Sequence, residues 1–408
     1  MRFPSLSQLD RDQTAIYQGA RPDGAVLIVG PPGTGKSVIA FHRAQFLSKM
    51  KRDPRVIMFN KVLARYASNR GGVADEVTVS TLHSWAYGWW KAIAGPGAKP
   101  PFVDGDNFAH DWGAMRQVAV PKVTTRAGAS DASWGHLIID EGQDFPPAMY
   151  GALRLVMDVA NSVGGAAPQL GLTVLADENQ RLTPNKNSSL AEIRFELGLN
   201  GAQAPVFTLN KNYRNTKEIA AFAGSFYVGL SSGKPELPRR SGDVPVVSMI
   251  ARDTHDKFLT ACAEKIGLYA KSRRTEEIAV LVMKNSDRTK IVNRLKGKLD
   301  GTGIKLQTYA SKDKSCPVEG LEFDTPGHVT VLNCGSAKGL EFDAVFLIDP
   351  GKLMDDAGSS ELAAKMAMYV MCSRARSMLN VMLVDAQPAR ALMASVPSTD
   401  GFYEQETL

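Results

Sequence analysis

The sequence contains few cysteines, and they show no pairing pattern. Four occur in 408 residues, at Cys262, Cys316, Cys334 and Cys372, and none forms a CxxC pair. Scattered cysteines in a chain of this length favour free thiols in a reducing compartment over disulfides or a zinc site. The six histidines show no HExxH or similar spacing, so we expect no metal site built from them.

Long apolar runs are also missing. No stretch approaches the roughly 18 residues that span a bilayer, and the first residues, MRFPSLSQLDRDQ, lack the apolar core of a signal peptide. We therefore expect a cytoplasmic protein without membrane contact. The formal net charge is +6, a mild basic excess. Such an excess fits a nucleic-acid partner or an ordinary basic enzyme, and charge alone leaves both open.

Short runs rich in Val, Ile and Leu alternate with helical patterns, which is typical of parallel strands covered by helices on both faces. The predicted strands lie at 25–29, 55–59, 77–80, 136–140 and 172–176 in the first half, and at 244–250, 277–283, 329–333, 344–348 and 379–384 in the second. Two successive sets predict two α/β domains, 1–204 and 205–408. Segments 86–133 and 310–328 interrupt the alternation. We interpret them as a small insertion in the first domain and a reduced one in the second.

A phosphate-binding loop follows the first predicted strand. Residues 30–37 read GPPGTGKS between the strand AVLIV and the helical pattern SVIAFHRAQFL, which is the context that a GxxxxGK[ST] motif requires. Its glycines allow backbone N–H groups to face phosphate oxygens at a helix N-terminus. We predict that Lys36 reaches the β- and γ-phosphates of ATP and that Ser37 binds Mg²⁺. The predicted nucleotide-binding residues of the loop are Gly30, Pro31, Pro32, Gly33, Thr34, Gly35, Lys36 and Ser37.

A second acidic element is needed to complete a magnesium site. Residues 136–144 read HLIIDEGQD, so a strand ends where Asp140 and Glu141 emerge. We predict that Asp140 completes the Mg²⁺ shell and that Glu141 orients and deprotonates the attacking water. Taken alone, the segment could also be a strand that ends in a solvated acidic turn.

The motifs resemble, in the same order, those of the UvrD/PcrA/Rep group of superfamily 1 DNA helicases. The segments that carry the resemblance are LDRDQ (9–13), MFNK (58–61), STLHSW (80–85), DEGQD (140–144), ADENQ (176–180), NYRN (212–215), SAKGLEFD (336–343) and YVMCSRAR (369–376). The resemblance implies two RecA-like P-loop domains with mainly parallel sheets and an ATP site in the cleft between them. It also implies an ATP-dependent translocase or helicase that moves 3′→5′ on single-stranded or tailed duplex DNA.

The resemblance further assigns roles around the nucleotide. Gln13 would contact the adenine edge, Tyr213 would stack on the base, and Glu341 would bind the ribose. Arg214 and Arg374 would act as two arginine fingers. Arginines from a second domain that face a phosphate held by the first would stabilise the transferring phosphoryl group and make hydrolysis depend on cleft closure.

The resemblance also assigns Gln180 as the sensor of the γ-phosphate.

Contacts to the nucleic acid are less clear from the motifs. The segment after Gln180, RLTPNKN, lacks the aromatic residues that stack on DNA in the family. Base stacking contributes about 1–3 kcal/mol per base, so other aromatic residues could replace it. The resemblance points to Phe59, Asn60, His83 and Trp85 as DNA contacts. The tryptophans around Trp85 could equally be core packing of the insertion.

Both the unwinding activity and the biological function stay open. The family carries large inserted subdomains that this sequence lacks, so translocation is expected while unwinding is left undecided. An alternative function is a nucleotide-gated regulatory or targeting subunit whose partner is a nuclease or another protein in a repair or phage-defence complex, and a third is an RNA-directed motor. The sequence GLEFD occurs twice, at 320–324 and 339–343. We take the second copy as functional because it lies between two apolar strands.

Overall fold

The structure is a computed structural model that describes residues 4–59, 61–68, 77–106, 108–163, 169–181, 187–311, 313–354, 361–398 and 401–407. Within these residues the chain forms two parallel β-sheets with helices packed on them. Each strand predicted from the apolar runs is present. The predicted α/β class with mainly parallel sheets is therefore confirmed.

The first sheet is built around the strand that precedes the phosphate-binding loop. Its described strands are β1 (Gly24–Val29), β2 (Pro54–Met58), β3 (Thr78–Thr81), β4 (His136–Ile139), β5 (Gly171–Ala176) and β6 (Val206–Thr208). They lie in the order β3-β2-β4-β5-β1-β6, and every neighbouring pair is parallel. The carboxyl ends of β4, β5 and β1 therefore lie side by side, which is the edge where open α/β sheets bind ligands.

The second sheet has the same parallel character. Its described strands are β7 (Val246–Ile250), β8 (Glu277–Val282), β9 (Lys305–Thr308), β10 (His328–Asn333), β11 (Phe342–Ile348), β12 (Ala375–Val384) and β13 (Glu404–Thr407). They lie in the order β13-β7-β12-β11-β8-β10-β9, and all pairs are parallel. The central strands are almost fully buried, as expected for a sheet covered on both faces.

Helices connect the strands and cover the sheets. The described helices are α1 (Arg11–Gly19), α2 (Lys36–Lys49), α3 (Lys61–Ser68), α4 (Leu82–Ala94), α5 (Trp112–Lys122), α6 (Arg126–Asp131), α7 (Pro147–Ser162), α8 (Leu190–Glu196), α9 (Lys217–Gly224), α10 (His255–Ser272), α11 (Asn285–Leu299), α12 (Cys334–Ala337), α13 (Glu361–Cys372) and α14 (Gln387–Met393). Short 3₁₀ turns lie at Leu6–Gln8, Gly142–Asp144, Glu178–Gln180, Val318–Gly320 and Pro350–Leu353. In the part of the chain that is described, no helix combines the length and apolar character needed to cross a bilayer.

One apolar core joins the two sheets. It includes Val26 and Ile28 of β1 together with Leu281 of β8 and Leu347 of β11. Two further clusters bury the other face of the first sheet and of the second. Because burial of apolar surface is the main favourable contribution to folding, the shared core holds the two sheets against each other around the cleft.

The first sheet extends beyond the predicted domain boundary. Residues 206–208 form β6, which pairs with β1, so the boundary predicted between residues 204 and 205 lies before the last strand of this sheet. The segment Val206–Thr208 is short and only partly buried. It lies at the edge of the sheet, where one side of the strand has no neighbouring strand. An edge strand needs fewer apolar side chains than a central one, so this strand gives no apolar run in the sequence.

The insertion predicted at 86–133 is a helical layer on the first sheet, and it begins already with α4 at Leu82. The rings of Trp85 and Trp89 are stacked with centroids 5.5 Å apart, and Trp134 lies edge-on to both. Trp85 is only 5% exposed. The expectation that Trp85 contacts a nucleic acid is therefore wrong, because its ring faces are used in the core.

The described residues of the segment 310–328, which are 310–311 and 313–328, form a short loop between β9 and β10 that contains the 3₁₀ turn Val318–Gly320. Leu321 is buried in the shared core. The loop also contacts α3 of the first domain, where Arg65 Nη2 donates to the carbonyl oxygen of Glu319 at 3.2 Å. The reduced insertion thus contacts the first domain through α3.

Candidate active site

The ammonium group of Lys36 is buried within the phosphate-binding loop. Its Nζ donates to the carbonyl oxygens of Gly30 at 2.6 Å and Pro31 at 3.1 Å. Burial lowers the pKa of Lys36, and the nearby carboxylates of Asp177 and Glu141 oppose that shift. A buried cation held by two neutral carbonyl groups is well placed to bind an anion in their place.

Two glycines of the loop take backbone conformations that side chains disfavour. Gly33 has φ +80° and Gly35 has φ +86°, in the left-handed region that glycine adopts without strain. A Cβ atom at Gly35 would lie 2.5 Å from Nε2 of Gln13, and one at Gly33 would collide with the side chain of Asn212. Gln13 Nε2 also donates to the carbonyl oxygen of Thr34 at 3.1 Å. The loop is therefore held between the N-terminal helix and the segment that follows β6.

Ser37 and Asp140 form the pair expected for a metal. Ser37 Oγ donates to Asp140 Oδ2 at 2.6 Å, and burial together with the adjacent Glu141 raises the pKa of Asp140. A cation at this point would relieve the crowding of negative charge. A hydroxyl and a carboxylate are the hard oxygen ligands that Mg²⁺ prefers. The described residues contain no group of three His, Cys, Asp or Glu arranged to hold a metal, so Mg²⁺ would also need water or phosphate oxygens.

Glu141 lies next to this pair in an unusual conformation. Its φ is 54°, which is uncommon for a residue other than glycine. Gln143 Nε2 donates to Glu141 Oε2 at 2.6 Å, and Lys338 Nζ lies 3.8 Å from the same oxygen. Burial raises the pKa of Glu141, but the charges of Lys338, Lys36 and Arg374 outweigh it and hold the pKa below its usual range. The carboxylate is therefore ionised and oriented.

Lys338 has no role assigned from the sequence, although it stands in the motif SAKGLEFD. It follows α12 in the second domain, is fully buried, and crosses to the first domain. Its Nζ donates to Asp144 Oδ2 at 2.5 Å and to the carbonyl oxygen of Gln180 at 2.5 Å, and lies 5.6 Å from the centre of the Phe59 ring. Sequence alone cannot separate a buried lysine from a solvated one, and the only available signal was its position near Glu341.

Arg374 enters the site from the turn between α13 and β12. Its Nη2 donates to Gln180 Oε1 at 2.8 Å, and Gln180 Nε2 donates to Asp177 Oδ2 at 2.6 Å. The hydrogen bond from Arg374 to Gln180 links the two domains across the cleft, and the bond to Asp177 holds the Gln180 side chain in place. Burial and the charge of Arg214 lower the pKa of Arg374. Two neighbouring guanidinium groups repel each other, and an anion bound near them would relieve that repulsion.

Arg214 is held by Glu341, with Arg214 Nε 2.5 Å from Glu341 Oε2. Arg376 Nη2 donates to the other carboxylate oxygen at 3.1 Å. Burial alone would raise the pKa of Glu341. The charges of Arg214 and Arg376 outweigh burial and hold the pKa well below its usual range. Glu341 belongs to the second copy of GLEFD, whereas Glu322 of the first copy pairs with Lys305 and both are exposed. The second copy is thus the one at the site.

Tyr213 lies beside the phosphate-binding loop. Its backbone N–H donates to the carbonyl oxygen of Gly33 at 2.9 Å, and its hydroxyl group donates to the Asp10 carboxylate. About half of the residue, 51%, remains exposed. The ring is therefore fixed at both ends and offers a face on which a planar base could stack.

Residues of both domains line one cavity of about 280 Å³. The residues assigned from the sequence that line it are Gln13, Pro32, Gly33, Gly35, Lys36, Ser37, Glu141, Gln180, Tyr213, Arg214, Glu341 and Arg374. The assigned residues that lie one hydrogen bond behind this lining are Gly30, Pro31, Thr34 and Asp140. The fold thus brings the residues of both domains that the sequence assigns to a nucleotide together at one cavity.

The residues assigned to a nucleic acid are divided. Phe59 and His83 line a second pocket of about 630 Å³. Asn60 lies outside the described residues, and Trp85 is in the core. Asp144 also lines the second pocket, so its ion pair with Lys338 lies between the two cavities.

The chain is similar to several known proteins. Residues 12–184 match the protein family described as an AAA domain, and no curated protein matches the sequence. Among solved structures, the C-terminal domain of a possible DNA helicase from Lactobacillus plantarum WCFS1 is 21% identical, with 47% of this chain and 98% of that chain covered and a TM-score of 0.32. The DUF1998 helicase MrfA bound to DNA is 12% identical, with a TM-score of 0.49. That comparison covers 94% of this chain and 50% of the MrfA chain, so the present chain spans about half the length of MrfA.

The phosphate-binding loop and the two parallel sheets with the cavity between them define the class of this chain. It is a P-loop protein with two α/β domains, each built on a parallel sheet.

Proposed function

We propose that this chain is an ATP-driven motor that hydrolyses ATP in the cleft and moves 3′→5′ along single-stranded DNA. The observation that carries the proposal is the meeting of charged groups from both domains on one cavity, with Lys36 and Glu141 on one side and Arg374 on the other. A site that needs groups from two domains works only when they are closed together. ATP binding and product release then produce relative domain movement.

The phosphate-binding loop would hold the triphosphate. Lys36 would exchange the carbonyl oxygens of Gly30 and Pro31 for phosphate oxygens, which are the stronger partners of an ammonium group. Ser37 and Asp140 would hold Mg²⁺, which supplies positive charge to the phosphate oxygens when bound. Both residues are already within hydrogen-bond distance of each other, so the ligands need little rearrangement.

Glu141 would accept the proton of the attacking water. It is ionised, and Gln143 and Lys338 orient its carboxylate, so it is prepared for this step before ATP binds. Arg214 and Arg374 would stabilise the charge that develops on the transferring phosphoryl group. Their mutual repulsion favours binding of an anion between them.

Lys338 would connect the nucleotide to the DNA. It contacts Asp144 and approaches Glu141 on the nucleotide side, and it lies over the ring of Phe59, which faces the second pocket. A ligand that moves Phe59 would therefore change the surroundings of the catalytic carboxylate. This contact supports stimulation of ATP hydrolysis by DNA.

Displacement of streptavidin from biotinylated single-stranded DNA tests movement and its direction. With ATP and Mg²⁺, we expect faster displacement from a 5′-biotin end than from a 3′-biotin end, and none with Lys36→Ala. Equal rates at both ends, or no ATP-dependent displacement from either, would contradict a 3′→5′ motor. A matching RNA strand separates DNA preference from RNA preference.

A second candidate is a nucleotide-gated subunit that controls a nuclease or another protein. The observation that favours it is the segment 310–328, which is a short bridge between the domains and no subdomain. Strand displacement on 3′-tailed and 5′-tailed duplexes distinguishes the two. Strong unwinding by the isolated chain supports the motor, whereas ATP-dependent DNA binding without movement or unwinding supports the gated subunit.

A further inference from the structure

The second pocket is lined by aromatic rings from the first domain and its insertion. Phe59 and Phe145 lie on one side, with centroids 6.2 Å apart. His83 on α4 lies 4.3 Å from His110 and 6.2 Å from Phe108, between ring centroids. Phe108 is 78% exposed. Its ring stands at the rim of a pocket of about 630 Å³ whose lining is rich in aromatic side chains, which is the character of many ligand pockets.

His110 brings to the lining of this pocket a polar group that has no hydrogen-bond partner in the described part of the chain. It is 6% exposed, yet neither ring nitrogen has a hydrogen-bond partner among the described residues. Buried polar groups are nearly always hydrogen-bonded. Burial, and then the charge of His83, lower the pKa of His110 to about 4. The imidazole is therefore neutral near pH 7 and offers one N–H donor and one nitrogen acceptor.

The charges around the pocket disfavour a phosphate inside it. Asp106 and Asp111 line it, and the Asp106 carboxylate is held at the rim by the backbone N–H of Phe108 at 2.9 Å. Burial lowers the pKa of His83, and the charge of Lys61, at the exposed start of α3, lowers it further. A ligand with an uncharged flat part and an anionic backbone would place the flat part in the pocket and the anionic backbone near Lys61.

We propose that this pocket takes up one unpaired nucleobase of single-stranded DNA, which stacks on Phe108 and hydrogen-bonds to His110. The inference rests on the proposed function and names the part of the DNA that the first domain and its insertion recognise. Stacking on an aromatic ring is tolerant of sequence because every base has a flat face. It would supply the base contact that the segment RLTPNKN lacks. Phe59 lines the same pocket and lies under Lys338. Binding of the base would therefore change the surroundings of Lys338 and of the neighbouring Glu141.

Binding of labelled oligonucleotides to the full chain, measured by fluorescence anisotropy at low salt, tests this assignment. One oligonucleotide carries bases, and the other has the same length and charge but abasic sites. We expect wild-type protein to prefer the first, and Phe108→Ala to reduce that preference about 5-fold or more. His110→Phe keeps a ring but removes both nitrogens, and should weaken binding of the base-containing strand without lowering the Tm. Phe195→Ala is the matched control, since Phe195 is 70% exposed on α8 and does not line the pocket.

The outcomes separate this inference from the proposed function. Absence of any DNA binding by the wild-type protein refutes the motor itself. Binding of both strands with equal affinity, or an unchanged preference in Phe108→Ala and His110→Phe, leaves the motor standing and overturns the base pocket. A reduced preference in Phe195→Ala equal to that in Phe108→Ala also overturns it, because the effect would then belong to any exposed aromatic residue.

Discussion

Replacement of Lys338 by methionine should weaken the contact between the domains. The buried ammonium group donates to Asp144 and to the backbone of Gln180, whereas methionine keeps an unbranched side chain of similar length without the charge. The Asp144 carboxylate would then be buried without its cation. Burial raises the pKa of Asp144 to about 7 even beside Lys338, so above that pH breaking the buried ion pair costs about 3–5 kcal/mol of the free energy of unfolding.

The same substitution should shift the pH dependence of ATP hydrolysis in a defined direction. Lys338 is the largest of the charges that lower the pKa of Glu141 against the effect of burial. Glu141 must be ionised to accept a proton, so activity falls as the pH drops through this pKa. Without Lys338 the pKa of Glu141 rises, and the loss of ATP hydrolysis begins at a higher pH. Each unit of displacement corresponds to about 1.4 kcal/mol of lost carboxylate stabilisation.

The assay is the initial rate of ATP hydrolysis from acidic to neutral pH, beside unfolding in urea. Lys352→Met is a matched control, because Lys352 pairs with Asp287 at 2.8 Å and Asp349 at 3.4 Å outside the cavity. It should lose stability but keep the acid limb of the rate profile in place. An unshifted acid limb in Lys338→Met, or an equal shift in Lys352→Met, would refute the role of Lys338 in holding Glu141 ionised.

Other variants test the remaining assignments. Lys36→Ala should abolish ATP hydrolysis by removing the buried phosphate-binding cation, and measurable turnover would contradict this. Glu141→Gln should bind ATP, as seen with a fluorescent nucleotide, while hydrolysis falls below detection; wild-type turnover would exclude Glu141 as the base. Arg214→Ala and Arg374→Ala should each lower kcat by about 10³-fold or more with little change in nucleotide Kd. An equal loss of affinity and of kcat would argue against finger roles.

The strands at the centres of the sheets are predictable from the sequence, and most edge strands are not. Runs such as AVLIV and EIAVLVM become β1 and β8, which have neighbours on both sides. The strands that the apolar runs miss are β6, β9 and β13, with the sequences VFT, KLQT and EQET, and all lie at sheet edges. An edge strand has one hydrogen-bonded neighbour and more contact with solvent, so it needs no apolar run. The predicted boundary between residues 204 and 205 precedes β6 for the same reason, because this edge strand gives no apolar run.

The candidate site shows a similar division. The phosphate-binding loop and Glu141 are recognisable because their residue types and spacing are required by the chemistry. Lys338 and His110 are not, because their significance depends on burial, which only the fold creates. Trp85 shows the reverse case, since an aromatic residue that the resemblance assigned to DNA contact is used for core packing. Motif spacing therefore locates the chemistry, while the contacts between domains require the structure.

The rate of ATP hydrolysis as a function of single-stranded DNA concentration tests the central claim most directly. If the cleft and the second pocket are coupled through Lys338, the rate should rise with DNA to a plateau, and the rise should weaken with added salt where phosphate contacts contribute. Lys36→Ala should show no hydrolysis at any DNA concentration. A wild-type rate that stays constant over the whole titration at low salt would contradict a DNA-coupled ATP motor.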